Sequence, residues 1–141
     1  MTEISSLTIG QKKIACSDTV LFKNQIELNS YDSDMDIGSY NYDLSSYLPN
    51  DNFDLIGYFH LEYIASSTSV WSECKLKDNA SNYTLTLGQV LRDGNFNYQR
   101  IFVWFPIPEN KIITKIITGA NAERCRLFFL GYQKLNSIEL V

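Results

Sequence analysis

The side chains able to do chemistry are few and scattered. His60 is the only histidine in 141 residues, so a histidine-rich zinc site is excluded and a nucleophile-histidine-carboxylate triad would have to turn on this one imidazole. No GxSxG elbow accompanies it, and His60 alternates with Tyr58 and Glu62, the pattern of a hydrogen-bonded structural histidine on the more polar face of a strand. Carboxylates for glycoside cleavage exist in Asp51, Asp54, Glu62 and Glu73, but nothing singles out one pair. Asp32, Asp34 and Asp36 place oxygen ligands at alternate positions with Asp43 twelfth, yet Ile37 stands where a calcium loop of the EF-hand type needs glycine. That segment reads as a solvated acidic loop. No GxxxxGK or GxGxxG loop is present to cradle phosphate. The sequence therefore offers no catalytic residue, no metal set and no cofactor, and a non-enzymatic protein is expected.

Cys16, Cys74 and Cys125 are an odd number at wide spacing, which fits neither a disulfide framework nor a CxxC metal pattern. They read as buried free thiols in a protein made in a reducing cytoplasm, with Cys125 sharing a strand face with Leu127 and Phe129. The net charge of -4 gives no footprint for a nucleic-acid backbone. Lys12-Lys13, Arg124 and Arg126 are too few for phosphate neutralisation. Residues 1 to 10 lack the basic start and apolar core of a secretory signal, and no apolar run is long enough to span a bilayer, so membrane insertion is not expected.

Aromatics supply the remaining candidates for contact. They make up 13% of the chain, with nine Tyr and eight Phe, and an exposed aromatic plane is an apolar platform with few rotors to freeze. Trp71, Trp104, Tyr40, Tyr42 and Tyr98 could stack on sugar rings; Trp71 and Tyr98 are the residues expected to contact a glycan. Each has core packing as its competing role. For Trp104, inside a continuous apolar strand, core or subunit interface is the stronger expectation, whereas Trp71 follows the polar run Ser66 to Ser69 and is open to either.

The elements that must position these groups are strands. Leu55, Gly57, Phe59, Leu61 and Tyr63, preceded by Phe53, alternate with Asp54, Tyr58, His60 and Glu62. Tyr83, Leu85 and Leu87 alternate with threonines, and Ile113, Lys115 and Ile117 alternate with Ile112, Thr114 and Ile116. Turn residues separate these runs at 49–52, 77–82 and 92–97, and Pro106 is expected to end the strand that begins at Tyr98. Helical periodicity is not sustained anywhere. The pattern predicts an all-β protein, an antiparallel β-sandwich of jelly-roll-like character over 31–141. Residues 1–30, with β-prone pieces at Leu7 to Ile9 and Thr19 to Phe22, fit an N-terminal arm or an ordinary first hairpin equally well. Ile101 to Phe105 and Leu127 to Leu130 are apolar on both faces, so a partner is expected to cover the second face. Phe102, Trp104, Phe128 and Leu130 are the expected subunit-interface residues.

Two phrases carry a resemblance. Tyr42-Asp43-Leu44-Ser45-Ser46-Tyr47-Leu48-Pro49-Asn50-Asp51 and the closing Leu127-Phe128-Phe129-Leu130-Gly131-Tyr132-Gln133-Lys134-Leu135, of the form LxxLGYxKL, resemble small β-sandwich modules in fibre proteins of tailed bacteriophages, particularly gut phages. The likeness covers the chain from about Tyr40 to Leu135. It implies a structural virion protein made in the host bacterial cytoplasm, a capsid (head) fibre or tail fibre component, typically a homotrimer about a long axis. It also implies contacts with other capsid or tail proteins, an anchoring role for the N-terminal segment, and adhesion to host-surface glycans as a further capacity. A carbohydrate-binding receptor-recognition module is the alternative. The chain departs from longer fibres in having no coiled-coil shaft or repeats.

Overall fold

The computed structural model describes residues 6–9, 12–15, 19–50, 54–65, 71–78, 84–91 and 98–135. Among these residues are ten strands: β1 Ser6–Ile9, β2 Lys12–Ala15, β3 Thr19–Glu27, β4 Gly38–Asp43, β5 Asp54–Ala65, β6 Trp71–Asp78, β7 Thr84–Leu91, β8 Tyr98–Ile107, β9 Ile112–Thr118 and β10 Ala122–Leu135. Ser45–Tyr47 forms a single 3-10 turn, the only helical piece among the described residues. β1 and β2 pair as a separate two-stranded hairpin. The other eight strands make two antiparallel four-stranded sheets, β3-β10-β5-β8 and β4-β9-β6-β7, packed as a sandwich. The all-β sandwich expected from period-two alternation is therefore the fold.

The alternation fixes which side chains meet between the sheets. Leu55, Phe59, Leu61 and Tyr63 of β5 are buried together with Cys125, Leu127 and Phe129 of β10 and Phe105 and Ile107 of β8. Opposite them lie Tyr42 of β4, Ile113 and Ile117 of β9, and Cys74 and Leu76 of β6, all in one cluster. Removing this apolar area from water is the main favourable term in such a fold. Gly57 keeps the β5 face open for its neighbour, since a Cβ there would stand 2.6 Å from the Phe59 ring. Leu44 and Leu48, flanking the 3-10 turn, close one part of the core. Tyr42, Leu44 and Leu48 are thus the buried residues of the first resemblance phrase.

β10 is the longest strand and lies between β3 and β5, with register shifts before Arg124 and between Phe129 and Gly131. The second shift lets Leu130 slip out of the pairing, and Gly131 follows where a Cβ would meet the Val20 carbonyl oxygen at 2.2 Å. Past the end of β3 the buried Asn29 side chain takes over from the ladder. Its Nδ2 donates to the Cys125 carbonyl at 2.9 Å, and the Leu127 N–H donates to its Oδ1 at 2.9 Å.

Two sequence readings meet the structure differently. Thr19–Glu27, within the segment read as an arm or a first hairpin, lies along β10 as an edge strand, its Phe22 ring 5.0 Å from that of Phe129. The strand expected to stop at Pro106 instead runs on, with Pro106 opposite Ile56 and Ile107 opposite Leu55. β8 is the other edge of its sheet, and an edge strand tolerates proline because its outer row of backbone groups has no ladder partner. Cys16, Asp51, Phe53, Ser66 to Ser69, and the turns expected at 79–82 and 92–97 lie outside the described residues.

Candidate functional site: an aromatic face on one sheet

If Leu55, Phe59, Leu61 and Tyr63 point into the core, their neighbours on β5 must point away from it. Ile56, Tyr58, His60, Glu62 and Ile64 occupy those outer positions, paired across to Pro106, Trp104, Phe102, Arg100 and Tyr98 of β8. On the other side, Glu62 and His60 pair with Arg126 and Phe128 of β10. Register alone thus gathers one histidine, five aromatic rings and several charges on a single face.

The rings form a continuous ladder. Trp104 stacks on Tyr58 with centroids 4.6 Å apart, and Tyr58 lies 6.1 Å from Phe102. Phe102 lies parallel to the His60 imidazole at 4.4 Å, and His60 in turn is 5.4 Å from Phe128. The Arg126 guanidinium sits 4.8 Å over the Phe128 ring. Offset stacking of this kind adds about 0.5–1.5 kcal/mol per pair beyond area burial. Although covered rings lie beneath, the outermost rings remain in solvent: Phe102 is 57% exposed and Trp104 41%. Leu21 of β3, opposite Gly131, and Leu135 of β10, opposite Asp54, are exposed outer residues of the same sheet.

At one end of the ladder the face becomes charged. Glu62, itself buried, is held by Arg100 at 3.5 Å and Arg126 at 3.6 Å, and Arg126 also reaches Glu27 at 3.0 Å. Arg124 lies 4.4 Å over the Tyr31 ring and donates to its hydroxyl, while Arg100 donates to the Tyr98 hydroxyl at 2.7 Å. His60 is enclosed between these groups and the rings. Burial holds its imidazole below the ordinary value, Glu62 opposes that, and Arg100 and Arg126 reinforce it. Its Nε2 has no hydrogen-bond partner among the described residues. The imidazole is stacked against Phe102 and Phe128.

The expected interface residues divide between two environments. Phe102 and Trp104 face solvent, whereas Phe128 is only 2% exposed, covered within its own chain by His60 and Arg126. Leu130 is half-buried at the bulge. The two expected glycan contacts are not brought together. Tyr98 lies on the aromatic sheet's outer face, while Trp71 projects from the outer positions of β6 in the opposite sheet, its Nε1 donating to Glu73 at 3.0 Å. Tyr40 stands at the sandwich edge and Tyr42 is buried.

The carboxylates also fall apart as a hydrolytic pair. Glu62 is on one sheet and Glu73, bonded to Lys75 at 3.2 Å, on the other. In the acidic loop, Asp34 accepts from the Tyr42 hydroxyl at 2.8 Å and Asp43 accepts from Ser45. Burial first, and then the bond to Asp34, raises the Tyr42 phenol. Among the described residues no three metal-ligating side chains gather.

Two residues, Tyr58 as the base of the exposed stack and Lys115 in the core, do not stand out from the sequence as site or core residues. Both were available from parity: Tyr58 shares its strand face with His60, and Lys115 shares its face with Ile113 and Ile117. Lys115 is fully buried, donates to the Cys125 carbonyl at 2.8 Å and lies over the Tyr40 and Tyr42 rings. No protein-family model and no curated protein matches this chain.

Proposed function

We propose that this chain is a non-enzymatic structural module of a tailed-bacteriophage virion, a component of a capsid (head) or tail fibre, whose copies associate through the outer face of the β3-β10-β5-β8 sheet. The observation that carries the association is the exposure of Leu21, Phe102, Trp104 and Leu135 on that one face. Fully burying one such side chain stabilises a complex by about 1.5–3 kcal/mol, which is reason enough for a second copy to cover them. The face has the make-up of an interface: aromatic at its centre, with Arg100, Arg126 and Glu27 as a polar rim. The fibre setting and the threefold symmetry rest on the two resemblance phrases.

The sheet face tests the association. Phe102→Asp places a carboxylate on an exposed position, so it is expected to leave the sandwich folded and to reduce oligomers to monomers. An oligomer of unchanged mass would remove this face from the assembly.

A second reading has its own observation. The Trp104–Tyr58 stack leaves an indole plane in solvent, the apolar platform on which a pyranose ring stacks, with Arg100 further along the same strand face as a hydrogen-bond donor. Loss of glycan-array signal on Trp104→Ala, with Trp71→Ala unaffected, would support a receptor-recognition role for this face; an array with no signal for the native chain would end it.

A further inference from the structure

Cys74 of β6 and Cys125 of β10 meet between the sheets with their sulfurs 3.7 Å apart and both residues fully buried. They come from different sheets, so their proximity is set by core packing and by no ladder. A disulfide bond is about 2.05 Å long, so the sulfurs need to approach by about 1.6 Å to be joined. A third group bears on them. The Lys115 ammonium is bonded to the Cys125 carbonyl at 2.8 Å. Contact with Cys125 and burial both raise the Cys74 thiol; burial also acts to raise Cys125, but the Cys74 contact and the Lys115 charge outweigh it and leave Cys125 lowered.

We propose that Cys74 and Cys125 are an oxidation site at which a low-molecular-weight disulfide installs a covalent cross-link between the two sheets. One of the two cysteines, as its thiolate, attacks one sulfur of the oxidant, forming a mixed disulfide and releasing one thiolate. The other cysteine gives its proton to that thiolate and displaces the second half of the oxidant, forming the Sγ–Sγ bond. Two protein thiols are oxidised and one small disulfide is reduced to two thiols. Because neither sulfur is exposed, exchange proceeds from states in which the sheets have parted, and its rate follows the opening of the sandwich. The closed cross-link then restricts the unfolded chain over the segment between the two cysteines and raises stability.

The test uses the full chain with Cys16→Ser, so that only the core pair can react. The protein is incubated with oxidised glutathione, with and without urea below the unfolding transition, then digested and analysed by mass spectrometry. The expected product is lighter by two hydrogens, contains one peptide joined through Cys74 and Cys125, forms faster in urea, and has a higher urea midpoint that dithiothreitol reverses. Persistent glutathione adducts, disulfides between chains, or two thiols still alkylated by iodoacetamide after unfolding would each overturn the proposal. The native core pair is kept throughout, so loss of fold in a cysteine variant does not enter the result.

Discussion

His60 illustrates how a residue's position decides its chemistry. Its sequence neighbours mark the polar side of a strand, and the pairing of β5 with β8 and β10 then lays Phe102 and Phe128 against the ring. Because burial holds the folded imidazole below the value of about 6.5 it takes in the unfolded chain, the unfolded state gains its proton first as pH falls. The sign follows: this residue costs nothing above that unfolded value, and stability is lost as pH falls from it toward the folded one. The urea midpoint is expected to drop across that window in the native chain and to drop less in His60→Gln. Equal slopes for the two proteins would show that the imidazole does not titrate differently on folding. Lys115 marks the limit of reading by residue type. Its parity with Ile113 and Ile117 points inward, but a lysine is assigned to the surface by default, and only the Cys125 carbonyl and two tyrosine rings, contributed by other elements, explain why it is tolerated inside. Tyr63 is a parallel case: burial pushes its phenol up to about 12, and its partner Ser72 comes from the opposite sheet.

At the level of elements, β5 and the alternating part of β10 were legible because one face of each is plainly apolar, and β9 because its residues alternate at period two. β3 was not, since its pattern is broken by Lys23, Asn24 and Gln25, and its membership in the sheet depends on Phe22 and Ile26 finding Phe129 and Tyr132. A chain beginning at Tyr31 would uncover those residues and the β10 edge, and is expected to aggregate or to lose its cooperative melt by circular dichroism. A native-like melt would make β3 dispensable. The turn between β9 and β10 gives a sharper prediction. Gly119 has φ 85°, and a Cβ there would stand 2.1 Å from the Trp71 carbonyl oxygen. Gly119→Ala is expected to destabilise the protein by more than about 1 kcal/mol in urea denaturation, since both the left-handed backbone and the close approach oppose a side chain. The pair Phe102 and Phe128, alike in sequence as members of doubly apolar strands, separates in the same assay. Phe128→Asp buries a carboxylate and is expected to cost several kcal/mol, whereas Phe102→Asp on the exposed ring is expected to cost less, about 1–3 kcal/mol for its lost contacts with Tyr58 and His60.

For the whole molecule, strand alternation and turn spacing were sufficient for the sandwich, because period two directly specifies which residues fill the space between two sheets. The candidate face was only half legible. Continuous apolar runs at Ile101 to Phe105 and Leu127 to Leu130 announced that some second face needed cover, but strand pairing decided that Phe128 is covered by its own chain while Phe102 and Trp104 are left outside. Trp71 and Tyr98, the two expected glycan contacts, stand on opposite outer faces of the sandwich, which strand alternation within each run specifies but the pairing of the sheets decides. The account therefore turns on whether copies of the chain cover the aromatic face. Light scattering of the native protein and of Phe102→Asp and Trp104→Asp, each across a range of concentrations and with folding checked by circular dichroism, measures this most directly. The expected result is a native oligomer of concentration-independent mass, a trimer if the fibre resemblance holds, and folded monomers for both variants. A native protein that stays monomeric at every concentration, or variants that keep the native mass, would contradict it.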